Sequence, residues 1–187
     1  MHAGAHAVGM RSCALRYFNA AGAHVSWQVG EMHEPEEHLI PRVIRAFLDG
    51  RTAQVYGNDY PTPDGTCVRD YIHVTDLAEA HVRALESTTL ESGQSFNVGT
   101  GSGHSVLAVT RAVAKHLGVD PNVEFLPRRP GDPASLIADP SALLAALNWR
   151  AAHSSLDEIV GSAVEWERIR AAKRGTVSER GAAVSFP

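Results

Sequence analysis

The sequence has few cysteines, no long hydrophobic run and no marked excess of either charge, and each absence excludes a class of protein. Its two cysteines, Cys13 and Cys67, lie far apart, which favours two free thiols over a disulfide framework. No apolar stretch reaches the length of a membrane-spanning helix, and residues 1–12 lack the compact apolar core of a signal peptide. A net charge of -4 gives no reason to expect a nucleic acid or an anionic membrane as partner. The sequence therefore predicts a cytoplasmic globular protein.

Strands and helices alternate along the 187 residues, a length typical of one domain or slightly more. Strands are predicted at 12–18, 53–56, 69–74, 95–98, 123–126 and 136–138. Helices are predicted at 39–49, at 75–86 with Thr75 as the cap, at 105–117, after Asp139-Pro140, and from Ser155 to about Arg170. The helix at 39–49 carries an apolar stripe of Leu39, Ile40, Val43, Ile44, Phe47 and Leu48. The pattern predicts an α/β fold with short elements and an incomplete sheet.

One glycine-rich stretch, VGTGSGHS at 98–105, follows a strand and precedes a helix, as a dinucleotide-binding loop does. The third glycine of that motif is missing, because His104 stands at its place. We therefore interpret the glycines as a tight turn between strand and helix, and prefer this to a cofactor loop.

The histidines are scattered and do not predict a metal site. His2 and His6 are four residues apart, and His33 and His38 flank a glutamate-rich loop. Neither pair has an evident third ligand in the framework that a zinc site needs. The sequence therefore predicts no bound metal.

Five segments together carry the functional signal. They are RYFNAAGAH (16–24), HLIP (38–41), VYGNDYPTPDGTCVRDYIHVTDLAEAH (55–81), FNVGTGSGHSV (96–106) and RRPGDP (128–133). In order and spacing they resemble the C-terminal half of the UDP-glucose 4-epimerases, which are extended short-chain dehydrogenase/reductase enzymes. The resemblance runs from about Ser12 to Arg168.

The resemblance implies a fold and an activity. The expected fold is the late part of a Rossmann-type parallel sheet plus a small mixed α/β domain that binds the substrate. The implied enzyme is an NAD-dependent isomerase of galactose metabolism that interconverts UDP-glucose and UDP-galactose. In this family NAD takes a hydride from the hexose and returns it to the opposite face, while a tyrosine of a Y-x-x-x-K motif acts as the base.

The chain lacks parts of that machinery. Its two lysines are Lys115 and Lys173, and neither follows a tyrosine by four residues. No complete glycine-rich NAD loop is present either, so no catalytic residue is assigned. We expect a fragment, in which a Rossmann half of roughly 100–200 residues is missing, and which is inactive alone.

The resemblance also assigns binding roles. Phe18 would border the nicotinamide of NAD, and Asn19 would hydrogen-bond the UDP-hexose. His38 and the backbone N–H of Leu39 would lie along the diphosphate and sugar. The remaining assignments are Val55 and Tyr56 at the uracil, Arg69 and Arg129 on the diphosphate, and Asp132 on a ribose hydroxyl. Guanidinium groups suit phosphate oxygens because they form paired, charge-assisted hydrogen bonds.

Several alternatives stay open. Taken singly, Arg69 and Asp70 could form an ordinary ion pair at the surface, and RRPGDP could be a solvated turn. Asn19 could simply form a turn after the first strand. Some family members have a tyrosine where this chain has Leu136. The chain could also belong to a related nucleotide-sugar epimerase or dehydratase, or be a non-catalytic UDP-sugar-binding remnant.

The expected division of the chain follows the same resemblance. Residues 1–36 would form a late Rossmann strand and its loop, and 37–170 the UDP-sugar-binding region, with 94–118 returning to the Rossmann sheet. Residues 171–187 would form a disordered tail. The oligomeric state is left open.

Overall fold

The computed structural model describes the backbone of residues 10–181 and the side chains of residues 10–173. The strands are β1 (Cys13–Tyr17), β2 (Asn19–Ala21), β3 (Ala53–Tyr56), β4 (Val68–Arg69), β5 (Tyr71–His73), β6 (Gln94–Val98), β7 (His104–Ser105), β8 (Val123–Leu126) and β9 (Ser135–Leu136). The α-helices are α1 (Leu39–Leu48), α2 (Val74–Glu86), α3 (Val106–Leu117), α4 (Ser141–Leu147) and α5 (Leu156–Gly181). A short 3-10 turn occupies Val25–Trp27.

The strands form small, mostly parallel pairings, which confirms the predicted α/β class. β1 pairs with β6, β2 with β5, and β3 with β8, all in parallel. β4 pairs antiparallel with β7 and parallel with β9. Within residues 10–181, β1 and β6 form a two-stranded sheet, as expected for late strands of a larger parallel sheet.

Two hydrophobic clusters hold the elements together. The first joins α1, α3 and α5 through fully buried side chains such as Ile44, Val113 and Ile159. The second lies around β5 and β6 and includes Ile72, Val98 and Leu143. The apolar stripe predicted for α1 packs against the first cluster. Leu48 is the exception, because it was predicted to belong to this stripe but is 48% exposed.

The ends of two helices confirm the capping predictions. Ser105 Oγ accepts a hydrogen bond from the N–H of Ala108, and Gly118 ends α3 in the left-handed conformation with φ 71°. At α5, Ser155 Oγ accepts from the N–H of Glu158 at 3.2 Å, as the predicted capping box requires, and donates to Glu158 Oε2 at 2.6 Å.

Other boundaries differ from the predictions. The extended stretch 69–74 is two strands separated by Asp70, and α2 begins at Val74 with His73, not Thr75, as its cap. The imidazole of His73 accepts from the N–H of Thr75 at 3.1 Å and so replaces the expected hydroxyl cap. Helix α5 continues to Gly181, beyond the predicted end near Arg170, so 171–181 is helical where a disordered tail was expected.

Among the described residues, no helix combines the length and apolarity needed to cross a bilayer. The two cysteines are free, as predicted, with Cys67 buried and Cys13 partly exposed. His2 and His6 lie outside the described residues.

Candidate functional site

Two adjacent cavities of about 650 Å³ each open beside the N-terminal end of α1. We call them the charged cavity, which contains Arg69, Arg129 and Asp132, and the apolar cavity, which contains Phe18 and Trp166. Residues shared by both linings are Asn19, Glu37, Leu39 and Tyr71. Of the nine binding residues predicted from the sequence, eight line at least one cavity: Phe18, Asn19, His38, Leu39, Tyr56, Arg69, Arg129 and Asp132.

Val55 is the exception. Its side chain is 1% exposed and lines neither cavity, because alternate residues of β3 point to opposite faces and Val55 lies on the buried one. The structure therefore does not bring this side chain to the site, whereas Tyr56, the next residue, does line the charged cavity.

An ion pair between Arg69 and Asp132 forms part of the wall of the charged cavity. Arg69 Nη2 donates to Asp132 Oδ1, and Arg69 Nη1 donates to the carbonyl of Val68 at 2.7 Å. A guanidinium group has five N–H donors, so these two contacts leave further donors on Arg69. The side chain is only 13% exposed, which fixes a positive charge at a partly desolvated position. Such a group is suited to hold a phosphate.

A second cation lies against the aromatic ring of Tyr56. The guanidinium carbon of Arg129 is 3.9 Å from the ring centroid, within cation–π range. Hydrogen bonding from the guanidinium groups of Arg129 and Arg42 lowers the pKa of the Tyr56 phenol. One face of the ring is therefore covered, and a base that stacks on Tyr56 would use the other face or displace Arg129.

The RRPGDP segment is tied to earlier parts of the chain, which argues against a solvated turn. Arg128 Nε donates to Asp59 at 2.6 Å, and its guanidinium carbon lies 4.2 Å from the centre of the Tyr60 ring. Arg129 lies against the ring of Tyr56, and Asp132 accepts from Arg69. Every charged side chain of the segment therefore contacts a residue between 56 and 69. These contacts position the segment at the charged cavity.

Asp70 is buried and connects several segments around the site, so it does not form a surface ion pair with Arg69. The side chain is 1% exposed and accepts hydrogen bonds from the N–H groups of Thr100, Gly101 and Ala138 and from the Thr100 hydroxyl. Its backbone carbonyl accepts from the Asn19 side chain at 2.8 Å. Asp70 therefore joins β2, the loop after β6 and the segment before α4.

The same contacts explain the glycine-rich stretch 98–105. The N–H groups of Thr100 and Gly101 donate to Asp70, so they are not free to bind phosphate oxygens. A short strand, β7, also separates this loop from α3. These features support the interpretation as a structural turn.

Two further buried polar residues of the RDYIHVTD run were missed by the sequence analysis. Asp76 is fully buried and accepts from the N–H groups of Ala152 and His153. His73 lies 3.0 Å from the Ser162 hydroxyl, and burial lowers its pKa. The run follows the family pattern, but no periodicity in the sequence shows that these polar side chains are buried. They hold α2, α5 and the intervening loop around β5.

The loop before α1 contains a cluster that the sequence analysis did not identify. His33, Glu36 and His38 each offer one ligand atom, and these atoms lie within 4.8 Å of one another. Glu36 is thus a nearby third donor for the histidine pair, which was expected to lack one.

Comparisons with known proteins identify the family of the chain. The model of the "NAD dependent epimerase/dehydratase family" matches residues 1–99, more than half of the chain. A UDP-glucose 4-epimerase of Rhizobium meliloti is 46% identical over 165 residues, which cover 87% of this chain and 50% of the relative. A probable UDP-arabinose 4-epimerase of Arabidopsis thaliana is 45% identical over 159 residues, which cover 82% of this chain and 39% of the relative.

Solved structures show the same relationship. The UDP-glucose 4-epimerase of Bifidobacterium longum in complex with NAD+ and UDP has a TM-score of 0.81 at 39% identity, and the match covers 90% of this chain and 51% of that one. The enzyme of Brucella ovis in complex with NAD gives 0.81 at 45% identity, with 88% and 51% covered. The chain spans about half the length of the UDP-glucose 4-epimerases it matches. With a matching family model over more than half of its residues, this chain belongs to the NAD dependent epimerase/dehydratase family.

Proposed function

We propose that this chain is the nucleotide-sugar-binding half of an NAD-dependent UDP-glucose 4-epimerase, and that its charged cavity binds the UDP part of a UDP-hexose. The observation that carries the proposal is the convergence of Arg69, Arg129, Tyr56 and Asp132 in one cavity. Two guanidinium groups beside an aromatic ring and a carboxylate match the chemistry of a uridine diphosphate. The relatives named above support the same assignment.

Each side chain has a distinct role in this proposal. Arg69 and Arg129 hold the diphosphate oxygens, and Tyr56 stacks on the uracil. Asp132 bridges Arg69 to a ribose hydroxyl, since a carboxylate can accept from both groups at once. Charge neutralisation by the two arginines should dominate the binding free energy.

Residues at the junction of the two cavities would orient the sugar and the cofactor. Asn19 and Leu39 line both cavities, so the hexose would lie between the diphosphate and the apolar cavity. Phe18 and His38 line the apolar cavity, where Phe18 provides an apolar wall for the nicotinamide. Asn19 already donates to the Asp70 carbonyl, which fixes its side chain in place for a substrate contact. When bound, NAD supplies the hydride acceptor and donor of the epimerisation.

A second candidate substrate is a UDP-pentose. The plant UDP-arabinose 4-epimerase relative is about as similar to this chain as the bacterial UDP-glucose 4-epimerase is, at 45% against 46% identity. Both assignments use the same uridine diphosphate contacts, and they differ only at the sugar.

The test is calorimetric titration of the chain with UDP, UDP-glucose, UDP-arabinose and uridine. We expect UDP to bind nearly as well as the UDP-sugars and uridine to bind much more weakly, because the diphosphate dominates. Arg129→Ala should weaken UDP binding by about 1.5–3 kcal/mol, the range for hydrogen bonds to charged groups.

The matched control is Arg111→Ala. Arg111 is an exposed arginine of α3 and lines neither cavity, so its removal subtracts the same charge without touching the site. Equal losses for the two variants, or uridine binding as tightly as UDP, would show that the phosphate site has been assigned wrongly.

A further inference from the structure

The loop that leads into α1 brings together the imidazoles of His33 and His38 and the carboxylate of Glu36. We propose that these three side chains form a binding site for a divalent transition metal ion, with Zn²⁺ as the reference ion. The site shares His38 with the apolar cavity and Glu36 with the charged cavity, but it contains none of the four side chains that bind UDP in the proposed function. Zinc binding is therefore measured without a nucleotide, and a failure to bind zinc would leave the proposed UDP site untouched.

The distances suit a zinc ion after a small movement. Zinc–nitrogen and zinc–oxygen bonds of about 2.0–2.1 Å in a tetrahedron place the ligand atoms about 3.3 Å apart. His38 Nδ1 and Glu36 Oε1 are already 3.1 Å apart. The ring centroids of His33 and His38 are 5.4 Å apart, and both residues are exposed. The ligand atoms of the three residues lie within 4.8 Å of one another, and because the His33 ring is exposed its rotation can bring a nitrogen closer without displacing interior side chains.

A further carboxylate lies next to His38, outside the cluster of three. Glu31 Oε2 is 3.7 Å from His38 Nδ1, on a side chain that is 34% exposed. The fourth position of the shell would be taken by Glu31 after a movement of its side chain, or by a water molecule. The carboxylates also give the site the negative charge that a divalent cation requires.

Glu36 is held in the orientation that a ligand needs. Its side chain is 5% exposed, and its second oxygen, Oε2, accepts from Arg45 Nη2 at 3.1 Å. Arg45 is itself fixed by Glu167, whose Oε1 lies 3.2 Å from the same nitrogen. Hydrogen bonds of this kind to a ligating carboxylate orient it, and their loss commonly weakens metal binding. The contact leaves Oε1 directed at His38.

The donor set selects the class of ion. Imidazole ligands suit Zn²⁺, Cu²⁺ and Ni²⁺, whereas Mg²⁺ and Ca²⁺ prefer shells made of oxygen. His38 directly precedes Leu39, which lines both cavities. A bound ion would therefore fix the segment that leads into the site.

The experiment is a zinc titration in competition with a chromogenic chelator. It uses the 187-residue chain with His2→Ala and His6→Ala, so that the terminal histidine pair cannot account for binding. We expect one equivalent of Zn²⁺ to bind, and excess Mg²⁺ to leave this unchanged. His33→Ala and His38→Ala should each weaken zinc binding at least roughly tenfold, as expected when a contact of a metal site is removed.

The matched control is His81→Ala. His81 is an exposed histidine of α2 whose ring contacts the carbonyl of Leu77, so it should not affect zinc binding. Circular dichroism of each variant shows whether it is folded, and Glu36→Gln, which keeps the size of the side chain, tests the carboxylate separately. The proposal is overturned if the folded chain binds no zinc, or if removal of His33 and His38 leaves the affinity unchanged.

Discussion

Replacing Asp70 by asparagine should destabilise the fold strongly although the side chain keeps its size. Asp70 accepts hydrogen bonds from four donors in the interior: the N–H groups of Thr100, Gly101 and Ala138, and the Thr100 hydroxyl. In Asp70→Asn one carboxylate oxygen becomes an NH₂ group, which can only donate. If the remaining oxygen keeps both contacts to Thr100, the new NH₂ faces the N–H groups of Gly101 and Ala138.

The magnitude follows from these two lost acceptors. A buried donor without a partner costs about 1–3 kcal/mol, so two of them should lower the free energy of unfolding by about 2–6 kcal/mol. Typical domains have about 5–15 kcal/mol in total, so this loss is a large share of the stability and should lower the urea midpoint markedly. Asn19 should also lose its position, because its side chain donates to the backbone of the same residue.

Urea unfolding at pH 7, followed by circular dichroism, measures the effect. The control is Asp59→Asn, which removes the same charge from an exposed residue paired with Arg128, and which should change the midpoint little. The free energy of unfolding of Asp70→Asn could instead lie within about 0.5 kcal/mol of that of the unsubstituted chain, which is less than the cost of one unsatisfied donor. That result would refute the conclusion that Asp70 holds these segments together.

Three other outcomes are expected. The purified chain should show no interconversion of UDP-glucose and UDP-galactose in a coupled assay, since it contains no Y-x-x-x-K sequence; turnover free of host enzyme would contradict this. Gly65→Ala should destabilise more than Gly118→Ala in thermal melts, since both positions have positive φ but only at Gly65 would the new Cβ lie 2.1 Å from a backbone oxygen, that of Asn58. Burial lowers the pKa of His73, so the unfolded chain takes up its proton first, and this residue should reduce stability as the pH falls below about 6.5. His73→Gln should flatten that part of a stability–pH curve, and an unchanged slope would argue against it.

Local features of the sequence determined much of the secondary structure. The strands at 53–56 and 123–126 have the predicted bounds, because short apolar runs between turn residues are read without tertiary information. The ends of α3 were predictable for the same reason, since Ser105 and Gly118 satisfy backbone groups that every helix end leaves free. Five ordered segments were also enough to recognise the family, and the cavities then contained eight of the nine predicted binding residues.

Only the tertiary structure decided which polar residues are buried and which lie together. Asp70 bonds to Thr100, 30 residues away, and to Ala138, 68 residues away, and no local pattern encodes which segments meet. The missed third donor at Glu36 has a related cause, because an irregular loop has no periodicity from which the spacing of its side chains can be calculated. At β3 the family motif identifies the strand, but the packing of its two faces decides that the Tyr56 side chain reaches the cavity and the Val55 side chain does not.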